Sequence, residues 1–121
     1  MKIKKECLDA IIESAKKMHP KEFLAFLAVR RKKDTIEEFI ILPQMIYGKR
    51  SSSFNLALLP SDKSVVGTAH SHPSGNYFPS SEDLFSFRKS GRIHIIIAYP
   101  YNEKNWKAYD SMGKEIFLEV V

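Results

Sequence analysis

The sequence predicts an α/β (α+β) fold, a mostly antiparallel sheet with flanking helices, in a single domain spanning residues 1–121. Three observations carry that expectation. Short apolar runs rich in β-branched and aromatic residues recur along the chain at strand length. Two segments with helical spacing of apolar positions interrupt them. No repeat, low-complexity stretch or linker divides the 121 residues, a length at which a single core buries about two-thirds of the unfolded surface.

The elements follow in order. Leu8, Ile11, Ile12, Ala15 and Met18 form one apolar stripe, and that helix should stop before Pro20, because the residue before a proline disfavours the helical region. Residues 23–29 (FLAFLAV) are a short apolar run closed by charges, and 35–42 (TIEEFIIL) is β-rich, so both are expected strands. Residues 43–53 (PQMIYGKRSSS) look like a loop, 54–59 (FNLALL) return to strand character, and 60–62 signal a turn. The strand 64–70 (SVVGTAH) then runs into a pair of histidines. A second helix is expected over 81–90 with Gly91 as its stop. Residues 92–99, 106–109 and 115–121 supply three more strands.

Composition narrows the function. The apolar fraction of 44% and charged fraction of 27% are those of an ordinary globular protein. A single cysteine, Cys7, cannot form an internal disulfide, which points to a reducing compartment and a small filler role for Cys7. The N-terminal segment carries charges throughout, unlike a signal peptide, and the run 95–99 (IIIAY) is too short to cross a bilayer. A soluble, cytoplasmic protein is expected. The net charge of +5 concentrates at Lys4-Lys5, Lys16-Lys17 and 30–33 (RRKK). Aromatic residues are not interleaved with these bases, so the pattern fits a solvated surface better than a nucleic-acid platform.

The stretch 70–83 (HSHPSGNYFPSSED) carries the chemistry. His70 and His72, two apart on a strand, point to one side and can converge on an ion. Imidazole suits zinc, and a catalytic zinc takes three protein ligands plus water, so a third ligand is required. Asp83 is a candidate, and the adjacent Glu82 is another. The competing explanation is a helix cap, in which Ser80 accepts a backbone N–H and an acid complements the first turn. Hydrolysis would also need a general base. Glu22, a charge at the mouth of the apolar run 23–29, can serve, or can be a solvated strand-start residue.

Taken together, Glu22, His70-Ser71-His72-Pro73 and Ser80-x-x-Asp83, with seven residues between His72 and Ser80, resemble the JAMM motif of MPN-type zinc metalloproteases. Residues 20–23 (PKEF) and 66–68 (VGT) are similar to the family as well. The resemblance covers nearly the whole chain. It implies the family's curved, mixed, cytidine-deaminase-like sheet, with one zinc and a catalytic water held by His70, His72 and Asp83, the last chosen over Glu82. It implies Glu22 as general base and then acid, and Ser80 as a hydrogen-bond donor to the oxyanion. Ser71 should face away and support the site. The implied reaction is hydrolysis of isopeptide or peptide bonds at the C-terminus of ubiquitin or a ubiquitin-like protein, as in a compact archaeal-type, desampylase-like enzyme. The implied partners are that modifier or its conjugates, its tail added as a strand beside an edge at 44–56. An inactive MPN scaffold and a RadC-like protein of DNA metabolism, which shares the PSG of residues 73–75, are the alternatives. The bland expectations are packing for His94, Trp106 and Tyr109, and exposure for His19.

Overall fold

A computed structural model describes residues 1–42 and 63–121. The expected loop 43–53, strand 54–59, turn 60–62 and edge at 44–56 lie outside the described residues. Within them the strands are β1 (Lys2–Ile3), β2 (Leu24–Val29), β3 (Thr35–Ile41), β4 (Val65–His72), β5 (Ile93–Ala98), β6 (Trp106–Tyr109), β7 (Glu115–Ile116) and β8 (Glu119–Val120). Helix α1 (Lys5–Met18) precedes β2, and α2 (Ser81–Phe87) joins β4 to β5.

The strands form one mixed sheet in the order β7-β6-β5-β4-β2-β3-β1-β8. Strand β4 is central. It pairs antiparallel with β2 and parallel with β5, so its backbone is hydrogen-bonded on both sides. Strands β7 and β8 stand at opposite ends of the strand order, yet only two residues separate them along the chain. Three Cα–Cα steps span at most about 11 Å, so the sheet must curl until its two ends nearly meet. This curl corrects the expectation of a single strand over 115–121. Glu115–Ile116 pairs with β6, the chain then crosses over, and Glu119–Val120 pairs with β1. Strand β1, too short for any periodic signal, was not expected.

Helix α1 lies in the curl. Its stripe of Leu8, Ile11, Ile12 and Ala15 packs with Phe23, Ala25 and Leu27, with Ala69 and with Ile93, Ile95 and Ile97. The alternate residues of the central strands face the other way, where Phe87 of α2 packs on Ile96 and Tyr109. Both faces of β5 are thus covered, and all six of its residues are buried. Cys7 is buried in the first turns of α1, and burial pushes its thiol up to about 11, so it remains a protonated filler. Gly67 is required where β4 meets β5: a Cβ there would collide with the Ile93 carbonyl oxygen.

His94 does more than fill space. It is fully buried and stacks on Phe87 with ring centroids 4.1 Å apart. Its Nε2 lies 3.0 Å from the Gly91 carbonyl oxygen, which can only accept, so Nε2 carries the proton. Nδ1 therefore accepts the Thr68 hydroxyl at 2.7 Å. Burial outweighs the Gly91 bond and pushes the imidazole down to about 4. An unfolded histidine titrates near pH 6.5, so between about 6.5 and 4 the unfolded chain binds the extra proton, and stability falls as pH falls. For an unfolded value near 6.5 and a folded value of about 4, lowering the pH from 7.5 to 5 costs about 2 kcal/mol through this residue. Urea unfolding at the two pH values should show His94→Gln less stable at pH 7.5 yet losing clearly less on acidification. An equal acid-induced loss in both proteins would contradict this assignment.

Candidate metal centre

The site lies at the C-terminal end of β4. The strand continues through His72, two residues further than expected, and its alternation sends His70 and His72 to the α2 face while Ser71 enters the α1 core. The chain then turns through residues 73–80, where Gly75 adopts φ +87° and donates its N–H to the His72 carbonyl at 3.1 Å. Helix α2 begins immediately after Ser80.

Ser80 and Asp83 form a capping box. The Ser80 hydroxyl oxygen accepts the Asp83 N–H at 3.0 Å, and Asp83 Oδ2 accepts the Ser80 N–H at 2.9 Å. The same carboxylate faces both histidines. Oδ1 is 3.2 Å from His70 Nε2, Oδ2 is 3.1 Å from His72 Nε2, and the two Nε2 atoms are 3.2 Å apart. Cap and metal cluster are therefore one structure. The acid in this cluster is Asp83 and not the neighbouring Glu82, which lines the same cleft.

The two imidazole nitrogens, 3.2 Å apart, each lie 3.1–3.2 Å from one oxygen of the Asp83 carboxylate, separations close to the edge of a tetrahedral zinc site, about 3.3 Å for ligand bonds of 2.0–2.1 Å. The donor chemistry agrees. His72 Nδ1 donates to the Asn76 carbonyl at 2.7 Å, which fixes the tautomer and leaves the Nε2 lone pair directed at a carboxylate oxygen. Only a cation between them, a metal or a proton, makes that arrangement favourable. Electrostatics follow the same logic. Burial works against the Asp83 charge, but the two imidazoles, when protonated, and the Ser80 N–H hold its carboxyl well below the usual carboxylate range. Burial likewise disfavours His72 charging, and the Asp83 and Asn76 oxygens with the Glu22 charge overcome it, so its net shift is upward.

Glu22 is exposed and Ser80 sits at the mouth, and both line the cleft of about 440 Å³ that holds the three donors. The site also depends on residues that local sequence did not single out. Tyr109 donates its hydroxyl to the Tyr77 carbonyl at 2.7 Å, and Asn105 Nδ2 donates to the Tyr77 hydroxyl at 2.7 Å, pinning the ligand loop to the β5–β6 region. Asn76 supplies its carbonyl to His72 and its Oδ1 to the Phe78 N–H at 2.6 Å. The Asn76-x-Phe78 turn was legible as a local asparagine turn. Its link to His72 was not, since any residue at position 76 offers a carbonyl.

A curled mixed sheet with a His-His-Asp cluster where its central strand meets a helix cap defines the metalloprotease-like class of metal-binding domains. The chain belongs to the JAMM/MPN family, matching the prokaryotic homologs of the JAB domain over residues 4–111. It is 34% identical over 124 residues to a probable metalloprotease of Haloferax volcanii, covering 96% of this chain and 76% of the relative. A JAB1/MPN domain protein from Archaeoglobus fulgidus superposes with a TM-score of 0.80 at 43% identity, over 100% of this chain and 99% of that one. A structure described as a metalloprotease-like zinc site in the proteasome and signalosome superposes with a TM-score of 0.79 at 42% identity, covering 100% and 97%. Among the described residues, no helix is long and apolar enough to cross a membrane.

The purified chain should bind one divalent ion with high affinity, measured by elemental analysis and calorimetric titration. His70→Ala should abolish tight binding. Asp83→Asn, which keeps the cap's size but removes its charge, should weaken it by at least about a hundredfold. Undiminished binding in Asp83→Asn would remove that residue from the ligand set.

Proposed function

We propose that the chain is a zinc-dependent peptidase or isopeptidase that cleaves after the C-terminal tail of a ubiquitin-like protein in the cytoplasm. The observation that carries this reading is the sharing of one cleft by Glu22 and Ser80 with the His70–His72–Asp83 cluster. The relative called a probable metalloprotease and the neighbour described by its metalloprotease-like zinc site support it.

His70, His72 and Asp83 would hold the zinc, whose Lewis acidity, when bound, polarises the scissile carbonyl and makes water a better nucleophile. The chain's own residues supply the rest. Glu22 takes the proton of the attacking water and passes it to the departing amine. The Ser80 oxygen is already engaged as the acceptor of the Asp83 N–H, and in that contact its own proton is not used. That proton can be donated to the oxyanion of the tetrahedral intermediate. Asn76 holds the His72 tautomer, and Pro73, Phe78 and Pro79 line the cleft.

The basic run 30–33 lies in the β2–β3 turn, at the far end of β2 from Leu24, about 17 Å along the strand at 3.3 Å per residue. Arg30 pairs with Glu38 at 3.0 Å. A basic surface there suits the acidic body of a modifier rather than its tail. Neutralising Arg31, Lys32 and Lys33 should then raise KM and leave zinc content unchanged; unaltered KM removes the run from recognition.

The reading is tested with a panel of ubiquitin-like fusions and zinc analysis. Glu22→Gln should keep one zinc per chain and lose nearly all turnover. Ser80→Ala should lower kcat by about a hundredfold. It also deletes a cap contact of about 1 kcal/mol, so both proteins are compared well below their melting temperatures. Full turnover by Glu22→Gln would reject the assigned base. Zinc without cleavage of any fusion would favour a scaffold, and DNA cleavage abolished in His72→Ala would favour the RadC-like alternative.

A further inference from the structure

We propose that Ser71, with Tyr101 at a second anchor, is a positioning residue for Glu22, acting through the backbone of residues 19–23. The proposal rests on the assignment of Glu22 as the proton-transfer group.

Ser71 stands between the two histidines but faces the opposite side, wholly buried in the α1 core. A hydroxyl in that setting is costly unless hydrogen-bonded. It is bonded to the residue that follows Glu22. The Phe23 N–H donates to Ser71 Oγ at 2.8 Å, and the Ser71 N–H donates to the Phe23 carbonyl at 3.0 Å. In a regular antiparallel ladder the Phe23 N–H would go to the Ser71 main-chain carbonyl. Here the side chain takes it, one residue beyond the last β2–β4 register pair, Leu24 with His70. The β2–β4 connection is thus carried one residue past the strand end by a hydroxyl, to the residue next to Glu22. The Phe23 ring is also fully buried, in the core beside α1.

The other end of the segment is held too. His19 Nδ1 lies 2.7 Å from the Tyr101 hydroxyl, and its ring stacks on Tyr99 with centroids 4.8 Å apart. Tyr99 in turn donates its N–H to the His72 carbonyl at 3.1 Å. The Lys21 N–H closes onto the Met18 carbonyl at 2.8 Å. Glu22 itself is solvent-exposed, so its aim comes from the backbone beneath it. Both anchors lead to β4, one to the residue between the histidines and one to His72. Proton transfer demands hydrogen-bond reach, and a shift of about 1 Å costs about a hundredfold in rate. A ring of contacts that references Glu22 to the ligand strand meets that demand.

The test uses the full-length, zinc-loaded chain. Ser71→Ala should keep one zinc per chain with unchanged affinity and KM, while kcat falls about ten- to hundredfold. Ser71→Thr, which restores the hydroxyl, should recover most of the loss. In a Glu22→Gln background, adding Ser71→Ala should change the residual rate by less than about twofold, because its effect passes through Glu22. Amide exchange in the peptide covering residues 19–24 should speed up in Ser71→Ala and stay unchanged in Glu22→Gln. Tyr101→Phe removes only the second anchor's hydroxyl and should lower kcat several-fold with zinc retained, a variant that serves even if Ser71→Ala folds poorly. Unchanged kcat and exchange in Ser71→Ala, loss of its zinc, or an equal effect in the Glu22→Gln background would overturn the proposal. Full turnover in Glu22→Gln overturns its catalytic part alone, and the exchange measurement then decides the anchoring.

Discussion

The Asp83 carboxylate joins two structures that each depend on it. One oxygen accepts the Ser80 N–H and closes the capping box of α2 while facing His72; the other faces His70. A cap needs an acceptor at this position, and a metal site needs an anionic ligand opposite the imidazoles. One side chain meets both needs because the turn between β4 and α2 returns the helix start over the strand end. The cap restricts the carboxylate before any ion arrives, and a ligand ordered in advance loses less entropy on binding.

The rest of the fold holds that strand end still. Strand β4 is bonded to β2 on one side and β5 on the other, and the parallel β4–α2–β5 unit puts the helix start at the carboxyl end of the strand, where open α/β sheets carry their ligands. Beneath the site, Phe87 is packed between His94, at 4.1 Å, and His70, at 6.1 Å between centroids. Burial keeps His94 neutral there, and its bonds to Thr68 and Gly91 fix the tautomer. The loop above is tied to Tyr109 and Asn105. A strand end, a helix start and a pinned turn leave little freedom to the His70, His72 and Asp83 side chains, in keeping with membership of the JAMM/MPN family.

How much of this was legible in the sequence depended on the range of each interaction. The alternation of His70-Ser71-His72 and the Ser80-x-x-Asp83 cap are local patterns, and both are present in the structure. The α1 stripe was readable from periodicity, and the strands at residues 23–29, 35–42 and 106–109 from their residue types, to within a residue or two. What was not readable is long-range. The split of 115–121 into two strands follows from curling of the whole sheet, and no local pattern in EIFLEVV encodes it. The opposite facing of Ser71 was predictable from alternation, but its hold on Phe23 required the β2–β4 register. His94 looked like a packing residue, and its two hydrogen bonds come from partners 26 and 3 residues away.

Under the proposed function, His70, His72 and Asp83 form a zinc site completed by solvent. X-ray absorption at the zinc edge of the purified chain tests it most directly. Four nitrogen or oxygen scatterers at about 2.0–2.1 Å, with the outer-shell signature of two imidazoles, are predicted. A sulfur shell near 2.3 Å, a single imidazole, or a six-coordinate ion would contradict it.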